Sequence, residues 1–210
     1  MRLFRLLSVL LITALAVSVG TAQPSTIKTK ASFTDVSASV QQVYISQLGV
    51  RELTGRNDGI QVEGYLQTVG LSKGYPWCAA FVKWCYLKAG VLSAKQINGM
   101  ALSVNDRSRW VYANNKFIEE PIAGDAFTLY FPHLKRIGHT GFYDGRLNGS
   151  IYKTIEGNTN SVGSRDGDGT YRKYRSFKST YSINRWITTT KIIKLYKPPL
   201  FTNISLQAVA

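Results

Sequence analysis

Cys78 is the residue whose type and position most favour nucleophilic chemistry. It opens the segment Cys78-Ala-Ala-Phe-Val-Lys-Trp-Cys85, which reads as one helix, with Pro76 just before it and Gly90 just after it. Unpaired backbone N–H groups and the positive end of the macrodipole point at the first turn of a helix and stabilise a thiolate there. Because the thiolate is the nucleophilic form of cysteine, we predict that Cys78 is a nucleophile.

Cys85 lies two turns further along the same predicted helix, between Trp84 and Tyr86. Residues seven positions apart on a helix are separated by about 10.5 Å of rise, whereas a disulfide needs Cα atoms within roughly 7 Å. A disulfide between Cys78 and Cys85 is therefore disfavoured, and an intermolecular bridge stays open as an alternative. We expect Cys85 to be a small, buried, apolar residue, the common state of a free cysteine.

A nucleophilic thiol needs a base, and the chain has two histidines, His133 and His139. His139 stands at the head of a predicted strand. His133 lies in a proline-containing loop beside Lys135 and Arg136, which is typical of a solvated surface residue. We predict that His139 is the base; the alternative is a core histidine whose ring is satisfied by the backbone.

A third group must hold the ring of the base. A two-residue turn at Asn148-Gly149 would pair residues whose numbers sum to 297, so His139 would face Asn158 with Glu156 diagonal to it. A register summing to 295 would place Glu156 opposite instead. Both registers keep these side chains on one face, so either Glu156 or Asn158 can orient His139. The alternative is that residues 157–160 are simply a turn.

Hydrophobic periodicity predicts helices in the first part of the chain and strands in the second. The first predicted helix starts at Val40, and the second starts near Asn57, with Asn57 or Asp58 as its cap. The apolar residues of the second helix that we expect to face inward are Ile60, Tyr65, Leu66 and Val69. A third helix is predicted over 77–89 and a weaker fourth over 102–113. The predicted strands are Ala126–Phe131, His139–Tyr143, Ser150–Glu156, Thr170–Ser176 and Trp186–Tyr196. Helices first and antiparallel strands second predict an α+β domain with helices packed on the sheet.

The N-terminus has the order of a secretory signal peptide. Arg2 and Arg5 precede an apolar run over 6–19, and small residues follow at 20–22. We predict a signal peptide over 1–22, a linker or arm over 23–38, a catalytic domain over 39–198 and a C-terminal tail over 199–210. The protein would then be periplasmic or extracellular; an uncleaved N-terminal anchor is the alternative.

The chain is strongly basic, with a net charge of +14 that falls to +12 when residues 1–22, carrying two arginines and no acid, are removed. A cationic exported protein is attracted to anionic polymers. Charge alone does not choose among cell-wall polymers, membrane surfaces and nucleic acid, but the basic residues are scattered along the chain, so nucleic acid is not the expected partner. We also expect a monomer with no stable membrane anchor after signal cleavage.

Several motifs together resemble the CHAP family, the cysteine- and histidine-dependent amidohydrolases and peptidases. They are Gly74-Tyr-Pro-Trp-Cys-Ala-Ala-Phe-Val, Gly124-Asp125, Gly138-His-Thr-Gly-Phe142 and Glu156-Gly-Asn158, in the order of that family and within about residues 45–197. The resemblance implies a papain-like fold, shared with NlpC-type peptidases, and cleavage of amide bonds in peptidoglycan. It implies that Cys78 is the nucleophile, His139 the base, Glu156 the group that orients the ring, and Asn158 an auxiliary polar group.

Metals and cofactors are not expected. Some members of that family bind calcium through acidic residues near the catalytic cysteine, but no acid lies between Glu63 and Cys78. Residues 166–169 lack the spacing of a metal loop and read as a turn. Neither cysteine has a partner at zinc-ligand spacing.

The backbone N–H of Cys78 is the first candidate for stabilising an oxyanion. Candidates for substrate contact or a second donor are Tyr75, Trp77, Tyr65 and Asn57. The sequence leaves two other functions open. One is acyl transfer or deamidation of a protein substrate by the same residues, and the other is a non-catalytic cell-wall-binding protein.

Overall fold

The computed structural model describes residues 32–162 and 166–188. Within these ranges the fold is α+β, as predicted, with three helices and one antiparallel sheet of seven strands. The predicted signal peptide, the C-terminal tail and most of the predicted arm lie outside the described residues. No helix in the described ranges has the length and apolar character needed to cross a bilayer.

The first helix, α1 (Phe33–Ile45), begins before the predicted start at Val40. A capping box starts it: the Ser32 hydroxyl accepts from the Asp35 N–H at 3.2 Å, and the Asp35 carboxylate accepts from the Ser32 N–H at 3.0 Å. Val36 is buried. Residues 33–38 are therefore the first turns of a helix that buries Val36, and the predicted linker or arm over 23–38 ends earlier than expected.

The second helix, α2 (Ile60–Gln67), begins after the predicted cap residues. Its N-cap is Gly59, whose φ of 105° suits a residue without a side chain. Asp58 instead accepts hydrogen bonds from Thr54 in the preceding loop. Ile60, predicted to face inward, is 96% exposed because it lies on the outer side of the first turn, whereas Tyr65 and Leu66 are buried as predicted.

The third helix, α3 (Cys78–Lys88), matches its prediction. The weak helix predicted over 102–113 does not form. Two short 3-10 turns, Ala101–Val104 and Arg107–Arg109, and strand β1 (Trp110–Ala113) occupy this stretch. Pairing of β1 with its neighbours in the sheet outweighs the local helical pattern.

Six further strands follow β1 along the chain: β2 (Lys116–Phe117), β3 (Ala126–Phe131), β4 (Arg136–Arg146), β5 (Ile151–Thr159), β6 (Gly169–Ser176) and β7 (Ser182–Asn184). Their order in the sheet is β2-β1-β7-β3-β4-β5-β6, with every pair antiparallel. The predicted strands at β3, β4, β5 and β6 are confirmed. The strand predicted over Trp186–Tyr196 is not formed at 186–188, and its remainder lies outside the described residues.

The hairpin of β4 and β5 sets the register of the candidate site. Near the site Phe142 pairs with Ile155, so the register is the one that sums to 297. The turn is nevertheless wider than two residues: the Asn148 carboxamide oxygen accepts from the N–H groups of Ser150 and Ile151, both at 2.9 Å. A register shift between Tyr143 and Gly145 restores the predicted pairing.

The core lies between the sheet and the three helices, with α3 at its centre. α3 is buried along most of its length and packs against β4 and β5. Phe81 meets Phe142 of β4 edge-to-face at 5.8 Å, and Tyr65 of α2 stacks on Trp77 at 5.5 Å. Ala79 and Ala80 are fully buried. Their small side chains suit the close approach of α3 to its neighbours, which fixes Cys78 relative to the sheet.

The contact between β5 and α3 gives a first prediction. A methyl group at Gly157 would lie 2.5 Å from the Trp77 ring and 2.8 Å from Phe81. We expect Gly157→Ala to lower the free energy of unfolding by about 1–3 kcal/mol, as overpacking does. Gly149→Ala is the matched control, since nothing lies within 4 Å of its added carbon. Equal thermal midpoints for the two variants would contradict this packing.

Candidate active site around Cys78

Cys78 is the first residue of α3 and a free cysteine that is 5% exposed. It lies in the wall of a cleft of about 400 Å³. The cleft is also lined by residues before the helix, by a loop and by β4: Tyr75 and Pro76, Met100 and Ala101, and Arg136 and Gly138. The sulfur is therefore sheltered but opens onto a space that can admit a substrate.

His139 lies on β4, is 1% exposed, and uses one ring nitrogen for a strong contact. Its Nε2 is 2.9 Å from Oε2 of Glu156. Its Nδ1 is buried and forms no hydrogen bond of standard geometry within the described residues. Burial lowers the pKa of His139, but the interactions of the imidazolium with Cys78 and with the Glu156 carboxylate outweigh it and raise the pKa to about 9.

Glu156 is fully buried on β5 and is held from three sides. Besides His139, it accepts from the Thr154 hydroxyl at 2.6 Å and from Nε and Nη2 of Arg175 at 2.8 and 2.5 Å. Burial raises the pKa of Glu156, yet the contacts with Arg175 and His139 lower it to about 2. The carboxylate is therefore ionised and its position is fixed.

Asn158 has a different role from Glu156. Its carboxamide oxygen accepts from the Trp77 N–H at 2.6 Å, and its Nδ2 donates to the Gly167 carbonyl at 3.2 Å. No hydrogen bond joins it to His139 in the part of the chain that the structure describes. Of the two candidates for orienting the ring, Glu156 makes the contact, and Asn158 ties the start of α3 to the end of β5.

Asn158 gives a second prediction because its φ of 58° is left-handed. Asn158→Gly keeps this backbone but leaves the buried Trp77 N–H unpaired, so we expect a loss of about 1–3 kcal/mol in the free energy of unfolding. Asn158→Ala should cost about 1–2 kcal/mol more through backbone strain. Chemical denaturation measures both. A glycine variant as stable as the wild type would contradict the anchoring role.

The other candidates for substrate contact separate into two groups. Tyr75 is 51% exposed and lines the cleft beside Cys78. Trp77 and Tyr65 are fully buried; Trp77 donates its indole N–H to Glu52 at 2.9 Å, and the Tyr65 hydroxyl donates to Gln47 at 2.8 Å. Asn57 lines a separate pocket. Trp77, Tyr65 and Asn57 therefore support the loop and helix that carry Cys78 rather than face the cleft.

Sequence reasoning missed Thr154 and Arg175. Nothing near Arg175 in the sequence distinguishes it from the other scattered basic residues. The signal was the pairing of the last two long strands: Tyr152 pairs with Arg175 and Thr154 with Lys173, so the face that carries Glu156 also carries Arg175. Because side chains alternate between the two faces of a strand, a buried acid on one strand and a basic residue on the same face of the next strand can be identified as a pair.

No cluster of three or more metal-ligating His, Cys, Asp or Glu side chains occurs within residues 32–162 and 166–188. Comparisons with protein-family models, with curated proteins and with solved structures find no match. Membership of the family that the motifs resemble therefore stays a prediction. What the chain does is inferred from the arrangement of Cys78, His139 and Glu156.

Proposed function

We propose that the protein is an exported cysteine amidohydrolase or peptidase, of papain-like fold, that hydrolyses amide bonds of bacterial peptidoglycan. The observation that carries this proposal is the position of His139. Its Nε2 is held by the ionised carboxylate of Glu156, and its Nδ1 has no hydrogen bond of standard geometry. Its pKa is raised by Cys78 as well as by Glu156. A thiol at a helix start, an imidazole whose pKa it affects and a buried carboxylate that holds the imidazole are suited to acyl transfer.

The reaction follows from these contacts. His139 takes the proton of the Cys78 thiol before substrate binds, giving a thiolate–imidazolium pair, and the thiolate attacks the amide carbonyl to form a tetrahedral intermediate. The backbone N–H of Cys78 stabilises the oxyanion, and Tyr75 in the cleft is the candidate second donor. His139 then protonates the leaving amine as the C–N bond breaks, and the acyl group stays on Cys78 as a thioester. Water, activated by His139, hydrolyses the thioester and restores the thiol.

The choice of substrate rests on charge and on the N-terminus. The chain carries a net charge of +14, and peptidoglycan carries carboxylates in its peptide stems. The signal-like segment over 1–22 would bring the protein to the compartment in which the cell wall lies. The partner is therefore peptidoglycan or another anionic cell-wall polymer.

The test is digestion of purified peptidoglycan by the mature protein, followed by mass spectrometry of the soluble fragments. New N-terminal L-alanine would identify an amidase, and new amines from the stem or cross-bridge would identify an endopeptidase. Intact peptidoglycan that sediments with the protein would overturn the proposal in favour of a binding protein. Transfer to an added amine, without hydrolysis, would favour an acyltransferase.

A further inference from the structure

We propose that Arg175 is a positioning residue of the site: its paired contact with Glu156 keeps that carboxylate charged and aimed at His139. The proposal rests on the proposed function in that it concerns the same Cys78–His139 chemistry. Arg175 lies on β6, a strand that contributes no residue to the cleft. It would act through Glu156 and His139 without touching substrate.

The geometry of the Arg175 contact is that of a fork on a carboxylate. Nε lies 2.8 Å from Oε1 and Nη2 lies 2.5 Å from Oε2 of Glu156. Two parallel bonds fix the plane of the carboxylate as well as its position. Oε2 is the same atom that meets Nε2 of His139 at 2.9 Å. The plane set by Arg175 therefore determines the direction in which the imidazole is held.

Burial explains why a cation is needed here. Glu156 is fully buried, and a carboxylate transferred from water into such a site tends to become neutral unless a charge pairs with it. A neutral Glu156 would hold a protonated imidazole less strongly. The guanidinium is mostly buried as well, with 19% of the Arg175 side chain exposed, so solvent screens the pair weakly.

Other charged or titratable groups that act on Glu156 are less direct. Lys173 shares the face of Arg175, but its ammonium donates to the backbone carbonyls of Asn160 and Ser161 at 2.9 and 2.7 Å. Tyr152, the neighbour on β5, pairs with the Thr180 hydroxyl. Tyr171 of β6, which pairs with Glu156 across the two strands, donates its hydroxyl to Asp168 at 2.8 Å, and His139 of β4 contacts the carboxylate itself. Among these groups Arg175 is the cation with a permanent charge in contact with the carboxylate.

Arg172 on the same strand provides a matched control. It forms an ion pair with Asp144, a carboxylate that is also buried, on the opposite face of the sheet. Loss of either arginine leaves a buried acid without its cation, so Arg172→Gln and Arg175→Gln should both lower stability. An effect on the thiol would be confined to Arg175→Gln if Arg175 positions the site.

The test uses reactions that need no substrate. The rate of alkylation of Cys78 by iodoacetamide is measured at pH 5–7, with the sites of alkylation read by mass spectrometry, and the Glu156 carboxyl is titrated by carbon NMR. For Arg175→Gln we expect alkylation at least about 10-fold slower and a Glu156 midpoint at least one pH unit higher. Arg172→Gln should keep the wild-type values. Arg175→Lys should retain the low midpoint but restore the rate only in part, because it supplies charge without the fork.

Equal alkylation rates for Arg175→Gln and Arg172→Gln would overturn the proposal and leave Arg175 a structural residue. If Arg175→Gln does not fold, the wild type still decides: a Glu156 carboxyl that titrates near pH 4.5, the ordinary value for glutamate, overturns it. Because neither measurement uses peptidoglycan, a protein that shows these effects but digests no cell wall would refute the proposed function alone.

Discussion

Replacement of Cys78 by alanine is expected to lower the rate of peptidoglycan hydrolysis by a factor on the order of 10⁴ or more. Removal of a nucleophile leaves only the catalysis that substrate binding and oxyanion stabilisation can supply. The release of soluble fragments from purified cell wall measures the effect. Thermal unfolding should change only modestly, because the substitution removes one sulfur atom from a residue in the wall of the cleft.

Cys85→Ala is the matched control for this variant. Cys85 is fully buried in α3, and burial raises the pKa of its thiol well above the ordinary value. A buried, protonated thiol is a poor nucleophile, so Cys85→Ala should keep the wild-type rate while losing on the order of 1 kcal/mol of stability to a small cavity. Wild-type hydrolysis by Cys78→Ala, or loss of hydrolysis in Cys85→Ala with an intact fold, would contradict the assignment.

The central parts of the site could be predicted because their signals are local. Pro76 and Gly90 bracket α3, so the position of Cys78 at its first turn follows from residues within one segment. The strands that carry His139 and Glu156 are neighbours in the chain, so the sums of paired residue numbers placed the two on one face. The choice between Glu156 and Asn158 could not be made from register alone, since both share that face.

The elements that sequence reasoning missed depend on distant partners. β1 and β7 are short strands that are stabilised by pairing with each other and, for β7, with β3, across more than fifty residues of chain in each case. Asn158 meets the N–H of Trp77 from eighty-one positions away. No local periodicity carries such information. Ile60 shows the reverse error, because its apolar side chain is left exposed by the direction in which α2 starts.

Glu156 and Arg175, which are nineteen positions apart in the chain, illustrate the same limit at the site itself. The strand of Arg175 alternates basic residues with residues of other types, a pattern typical of side chains that face solvent. Its burial follows from β6 pairing with β5, which brings it over Glu156. A charged residue is assigned to solvent from sequence unless the buried partner that holds it is known.

Replacement of His139 by glutamine is the second large effect that we expect, with a fall in hydrolysis of about 10²–10⁴-fold, the usual contribution of a general base. His133→Gln is the control, because His133 is exposed outside the cleft and should be neutral to activity. Iodoacetamide should also react with Cys78 more slowly in His139→Gln at neutral pH, since no imidazolium stabilises the thiolate.

The pH profile of the wild type separates catalysis by His139 from a purely structural effect. Because the pKa of His139 is raised to about 9, the imidazolium persists through neutral pH and loses its proton only as the pH rises past that value. Hydrolysis should therefore fall above about pH 9, because His139 has then lost the proton that it gives to the leaving amine. His133→Gln should keep this limb and the residual activity of His139→Gln should lack it. A wild-type alkaline limb near pH 6.5, the ordinary histidine value, would show that Cys78 and Glu156 do not raise the pKa of the ring.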